Sequence, residues 1–375
     1  MKIFYIANVR MPTEKAHGGQ IMKMCEAWGK KHQVVLWSPW RINYIKKNPF
    51  DFYGVEKNFK IKKIFSLDFL PMQWLFGRAA FYFQNISFAI FVSLRLAFSQ
   101  ADLFFSRDFW SSFFLSLFGK KVVYEIHDSP NQHQITRFAF KKIYKFITTN
   151  AFKKQELINS FGINEGKILV ATNRVDFDFF NIKENKAEAR KILNLPEDKK
   201  IVLYTGHLYS WKGAETLGKA ARKMSRDVLT VFVGGTREDE KKFREDFGND
   251  DATLILGHQE YKKIPYFLRA SDVLVLPNTA RERISLRETS PLKLFEYMAS
   301  GKPVIASDLP SIREVVSEKE VVFFEPDNPD DLSNKIEEVL SNYEKYSGSV
   351  RDTETFAKWF SWDNRAENIL KFVEN

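Results

Sequence analysis

The chain has 375 residues, a hydrophobic share of 44% and a formal net charge of +10, which fits a soluble globular protein of two domains. Its single cysteine, Cys25, excludes an intrachain disulfide and any multi-cysteine metal site, and the helical look of its surroundings assigns it to a core. The positive charge is uneven: residues 1–180 carry 26 Lys and Arg against 13 Asp and Glu, and the remainder 31 against 34, so an anionic surface or substrate is expected to face the first half.

The opening MKIFYIANV runs directly into strand-like sequence with no secretory signal pattern, so a cytoplasmic location is expected. A strand over 2–7 leads to a loop ending in His17-Gly18-Gly19, a helix from Gln20 to about Lys30, and a second strand over 32–38. Residues 69–98 are rich in aromatic and aliphatic side chains, but Arg78, Gln84, Asn85 and Arg95 interrupt them before the 18 or so residues that a spanning helix needs. Two readings stand for this stretch: a buried or half-buried helix pair, or a surface lying on a membrane, as the flanking Lys60, Lys62 and Lys63 suggest. Apolar strands follow at 103–106, 121–127, 145–149 and 167–173, with helical segments between them, the alternation of a doubly wound sheet.

Residues 176–200 are charged and end near Pro196, and are expected to connect two domains, with a short helix from Ala187 to Leu193. A second strand-helix alternation runs from KIVLYTG at 200–206 to the helix after Pro310, each strand short and rich in Val, Ile or Leu. The expected class is therefore α/β, with two Rossmann-like doubly wound domains, 1–178 and 179–354, facing a central cleft at the carboxyl ends of their strands. The last segment is amphipathic and can pack on either domain, and 355–375 is a candidate to complete the first.

Gly18 and Gly19 permit close backbone approach to a phosphate, although turns use glycine for many reasons and the G-x-G-x-x-G pattern of a dinucleotide enzyme is missing. Lys212, at a loop-to-helix junction, offers three donors to diphosphate oxygens, and His207 at the preceding strand end is a second donor; solvent exposure is the plain alternative for both. His127 and Asp128 end the strand YEIHD, where a cleft-facing pair belongs. In ETSPLKLFEYMASGKP, residues 288–303, Glu288 and Glu296 stand eight positions apart. Backbone N–H groups around Pro291 and Leu292 open a helix that can receive an anion, and Glu296 can accept hydroxyls about one turn further on. Glutamates facing water would explain the spacing equally well. No cluster of His and carboxylates suggests a metal.

Taken together, strand-GG-helix, HD after a middle strand, Asn173-Arg174-Val175-Asp176 near the domain junction, GH…WKG and SPLKLFEYMASGKPVIAS resemble the retaining GT-B glycosyltransferases of the large family 4 (group 1), over nearly the whole chain. The resemblance implies that Glu296 binds the nucleoside ribose, Glu288 and His127 face the donor sugar, and Lys212, Gly18, Gly19, His207, Pro291 and Leu292 hold the diphosphate. His207 stands where many relatives have arginine, and Thr172-Asn173-Arg174 where they have Pro-Asn-Gly; Arg174 then points to a phosphate or joins an interdomain ion pair. The implied activity is metal-independent hexosyl transfer from a nucleotide sugar, a UDP-sugar ahead of a GDP-sugar, with retention of configuration and no tightly bound cofactor. The implied acceptor is a glycan or glycolipid, with an anionic inner membrane surface as a further partner and no nucleic acid. A nucleotide-sugar epimerase or phosphorylase of the same architecture, or a non-catalytic nucleotide-sugar-binding protein, are the competing readings.

Overall fold

The computed structural model describes residues 1–348 and 359–375, so 355–358 of the expected C-terminal segment lie outside the described residues. The chain divides into two compact units, Met1–Thr172 with Trp362–Asn375, and Asn173–Ser361. Each is an α/β unit built on one parallel sheet.

The first unit contains β1 (Lys2–Ile6), β2 (Gln33–Pro39), β3 (Lys60–Ile64), β4 (Leu103–Ser106), β5 (Val122–Ile126), β6 (Lys145–Thr148) and β7 (Ile168–Val170), in the order β3-β2-β1-β4-β5-β6-β7. Ile3 pairs with Val34 on one side and Leu103 on the other, so the winding reverses between β1 and β4. Ligands collect beyond the carboxyl ends of strands at such a reversal. The second unit contains β8 (Lys200–Thr205), β9 (Val228–Val233), β10 (Thr253–Gly257), β11 (Val273–Leu276), β12 (Val304–Ser307) and β13 (Val322–Phe324), ordered β10-β9-β8-β11-β12-β13, with its reversal between β8 and β11. Central strands such as LFFS and VLVL are buried at every position, as strands covered by helices on both faces must be.

Four local expectations change. The first helix starts at Ala16, so His17, Gly18 and Gly19 form its opening turn rather than a loop. The helix expected at 291–300 spans Leu292–Ala299, and Pro291 stands just before it with an extended backbone, φ −72° and ψ 109°. Residues 176–200 are no linker: the helix Lys186–Leu193 is fastened inside the second unit by Arg190, whose side chain is 2% exposed and meets Asp272 Oδ2 at 2.8 Å. Arg190 also donates to the carbonyls of Glu197, Lys199 and Ala270, so the charge that reads as solvent-facing is neutralised and hydrogen-bonded inside.

The fourth change concerns only the interruption of the aromatic stretch: it forms the expected helix pair, Gln73–Phe76 and a half-buried Arg78–Ala97, but Gln84, Asn85 and Arg95 lie within the longer helix without breaking it. The long helix has the length and apolar composition to cross a membrane. Its face bearing Phe88, Val92 and Leu96 instead packs on Phe4, Ile6, Val35, Trp37 and Phe104 of the sheet. The C-terminal helix Trp362–Glu374 joins the first unit, with Ala366, Ile369 and Leu370 in the core beside Trp28, and Trp28 Nε1 donates to the Ala366 carbonyl at 3.1 Å.

Candidate functional site

In the second unit the strand ends bring Lys212, His207 and Glu296 together with a residue that pattern reading did not single out, Lys293. Lys212 sits in a 3-10 turn, Ser210–Lys212, held by Gly213. Gly213 has φ +68°, and a Cβ there would lie 1.8 Å from the Pro277 carbonyl oxygen, so only glycine lets this turn close onto the neighbouring loop. Lys212 Nζ lies 3.8 Å from the Trp211 ring centroid and makes no ion pair among the described residues. Burial first, and then the charge of Lys293, lower its pKa from 10.5 to about 7, against the opposing pull of Glu296.

Glu296 is buried, 7% exposed, which removes the reading of a glutamate that simply faces water. Lys293 Nζ donates to Oε2 at 2.9 Å, and the Tyr261 hydroxyl donates to Oε1 at 3.3 Å. A carboxylate has about four acceptor directions, so it can take ribose hydroxyls in addition. Tyr261 is itself placed by stacking on Phe179, with centroids 5.2 Å apart. The helix Leu292–Ala299 has no side-chain cap, which leaves its opening N–H groups, at Leu292 and Lys293, to an external acceptor. His207 stacks on Tyr209 with centroids 4.8 Å apart, and desolvation, then the charge of Lys212, lower its pKa, so it is neutral at pH 7.

Glu288 ends a wide π-type turn, Ile284–Glu288, that runs up to this helix. Such turns are rare and cluster at functional sites. Its carboxylate meets Arg283 Nε at 2.7 Å. The loop between turn and helix is tied to Asn173, whose side chain donates to the Ser290 carbonyl at 2.6 Å. Arg174 lies over the Phe360 ring, 4.8 Å from its centroid, and donates to the Asn173 carbonyl.

In the first unit, His127 stands in a chain of charges rather than alone. Arg107, just beyond β4, donates from Nη2 to His127 Nδ1 at 2.8 Å and to Gln20 Oε1 at 3.0 Å. Since an arginine only donates, Nδ1 is the acceptor, and His127 carries its proton on Nε2, 2.8 Å from Glu125 Oε1. Arg365 of the C-terminal helix closes the chain at 2.6 Å from the same oxygen, with both side chains at most 3% exposed. Burial and the Arg107 charge hold His127 at a pKa of about 4, and the same two causes bring His17 to about 4. Both histidines are therefore neutral near pH 7, and Arg107 is the permanent cation that joins His127 to Gln20 of the first helix.

The two glycines there differ. A Cβ on Gly18 would fall 2.1 Å from the Tyr53 hydroxyl, so packing alone demands glycine. On Gly19 the nearest atom would be 3.8 Å away, an ordinary contact, and nothing in the fold requires glycine at that position.

Residues 185–351 match the family model of Glycosyl transferases group 1. An uncharacterized glycosyltransferase of Methanocaldococcus jannaschii is 26% identical over 254 residues, 65% of this chain and 63% of that protein, so the matched region falls just short of two thirds of the relative. The N,N'-diacetylbacillosaminyl-diphospho-undecaprenol alpha-1,3-N-acetylgalactosaminyltransferase of Campylobacter jejuni is 27% identical over 248 residues, 64% of this chain and 63% of that one. Anabaena Alr3699/HepE, solved in complex with UDP, superposes over 100% of both chains with a TM-score of 0.75 at 15% identity. Residues 185–351 are thus similar to group 1 glycosyltransferases, and the two parallel-sheet units have the GT-B fold of the solved structures they superpose on.

Proposed function

We propose that the chain transfers a hexosyl unit from a UDP-sugar to a hydroxyl of a lipid-linked sugar or polysaccharide precursor, with retention of configuration and without a metal. The observation that carries this reading is the meeting of two lysines, an uncapped helix start and one buried carboxylate in the second unit. Lys212, Lys293 and the N–H groups at Leu292 and Lys293 face the diphosphate, and Glu296 holds the ribose. As the sugar–phosphate bond breaks, negative charge grows on the leaving diphosphate, and fixed cations stabilise that charge more than the ground state. Glu288 orients the transferred sugar, and the His127 ring, neutral and positioned by Arg107 and Glu125, serves as a hydrogen-bonding group of the first unit by itself. The solved complex of Alr3699/HepE with UDP supports the choice of base, and the diphospho-undecaprenol substrate in the Campylobacter jejuni enzyme's name supports a lipid-linked acceptor.

Thermal-shift titration with UDP, GDP, ADP and their sugars tests the donor, since a ligand of the folded state raises the melting temperature by mass action. A shift with UDP that disappears in Glu296→Ala is expected. An unchanged shift in both Glu296→Ala and Lys212→Ala would remove the proposed nucleotide site. Transfer in the presence of EDTA, followed by the anomeric configuration of the product, tests the rest: an inverted product or a requirement for added metal overturns those two parts.

A further inference from the structure

The long helix Arg78–Ala97 is apolar on its outer side as well as on the side that packs on the sheet. Its inner face includes buried Gln84 and Ser93 beside Phe88, Val92 and Leu96, while Phe83, Ile90, Phe91, Leu94 and the following Phe98 stand 53%, 39%, 39%, 53% and 95% exposed. At 100° per residue those five fall within an arc of about 100°, a stripe broken only at Ser87, whose hydroxyl accepts from the Leu67 N–H at 2.9 Å. The stripe continues through Phe65, whose ring meets Phe91 edge-on at 5.3 Å, and the short helix Gln73–Phe76 adds Trp74 and Leu75, which are 83% and 56% exposed. Monomeric soluble proteins rarely leave so large an apolar surface bare unless something covers it.

The chemistry around the stripe says what the cover is. Exposed Lys60, Lys62 and Lys63 line β3, the edge strand beside it, and Arg95 leaves the same helix. Lys62 and Arg95 lie 5.3 Å and 5.7 Å from the Trp37 ring centroid. They share with Lys2 and Lys60 a cavity of about 230 Å³ whose lining holds no carboxylate. Asp68 is the one acidic residue between 57 and 101, and Arg41 and the Ile42 N–H already engage it. A second copy of the chain would set cations against cations across a two-fold contact, since such an interface pairs a patch with itself. A bilayer with anionic headgroups satisfies both halves at once.

We propose that this face docks on an anionic lipid bilayer, with Phe83, Ile90, Phe91, Leu94 and Phe98 among the acyl chains and Lys60, Lys62 and Arg95 against headgroup phosphates. The inference is independent of the transfer reaction, because its readout is binding. The full chain is sedimented with phosphatidylcholine vesicles, with and without phosphatidylglycerol, at low and high salt. Binding is expected on the anionic vesicles only, weakening with salt. The triple variant Lys60→Gln, Lys62→Gln, Arg95→Gln should lose about a hundredfold in affinity, roughly fivefold per cation. Phe98→Ser, at a side chain with almost no packing to lose, should weaken binding while leaving the melting temperature unchanged. Equal binding to neutral and anionic vesicles, no binding at low salt, a charge variant that binds as well as the parent, or a stable dimer that ignores vesicles would each overturn the proposal.

Discussion

In the first unit the charges around His127 are paired with one another, whereas in the second unit two lysines share one carboxylate. Arg107, His127, Glu125 and Arg365 form one continuous chain in which each charge meets an opposite charge or a hydrogen-bond partner. Among the described residues Lys212 makes no ion pair and lies over an indole face, and Lys212 and Lys293 share a single carboxylate, Glu296. Two lysines brought together with one anion, in a place where burial disfavours their charge, store a preference for an incoming anion. A satisfied chain such as the one in the first unit fixes a geometry instead. The surface also differs: of the 26 large exposed apolar side chains among the described residues, 21 belong to the first unit, which carries the proposed docking face.

Each unit also fastens a helix with one buried arginine, and cutting these ties should have the largest effects. Arg365→Ala leaves Glu125, among the described residues, with only the neutral His127 ring and is expected to cost about 3–5 kcal/mol in denaturant unfolding, whereas Arg190→Ala leaves Asp272 with Lys186 and the Ile201 N–H and should cost less. The two variants should differ in a second respect. Arg365 helps depress the pKa of His127, so its removal should raise the His127 titration from about 4, read by NMR of the ring protons, while Arg190→Ala leaves it in place. Equal behaviour of His127 in both variants would dissolve the idea of a wired site in the first unit.

Next in size, Lys212→Met should lower the transfer rate by about 100- to 1000-fold, as losing a transition-state donor does. The same change should raise the melting temperature of the free protein, because a poorly solvated cation is removed. The pH dependence carries the same logic. Lys212 is half protonated near pH 7 in the free protein and gains its proton when a diphosphate binds. UDP affinity should be level below pH 7 and fall above it, by at most about tenfold per pH unit. For stability, a folded pKa below the unfolded one means a cost that is complete below pH 7 and is relieved as pH rises towards the ordinary lysine value. Lys212→Arg, permanently charged, should flatten the affinity profile.

What the sequence disclosed follows from how local each signal is. Buried parallel strands such as VLVL and VVYEI are legible as short apolar runs, because both faces are covered. KIKKI is not, since as an edge strand it keeps its lysines in water, and VFF of β13 is too short to stand out. Residues 176–200 read as a linker because charge usually means solvent, and nothing local announces that Arg190 will find Asp272, 82 residues on. Glu288 and Glu296 were readable from spacing; Lys293 was readable as the i, i+3 partner of Glu296 but needed its burial to matter. Arg107 and Arg365 gave no sign at all, because their partners lie 20 and 240 residues away and only the sheet order joins them.

The smallest effect is expected at the paired glycines, and it bears on whether the first unit is wholly self-contained. Gly18→Ala drives a methyl group against the Tyr53 hydroxyl, which both accepts from Thr13 N–H and donates to the Thr13 carbonyl, each at 2.7 Å. Displacing Tyr53 should cost about 1–3 kcal/mol. Gly19→Ala meets no such obstacle and removes backbone freedom from the unfolded chain, so it should stabilise the protein by up to about 1 kcal/mol. If packing were the only demand on this pair, Gly19→Ala would also transfer sugar at the parent rate. A slower transfer in a more stable protein would mean that glycine is kept at 19 for a ligand, since the fold gains from losing it.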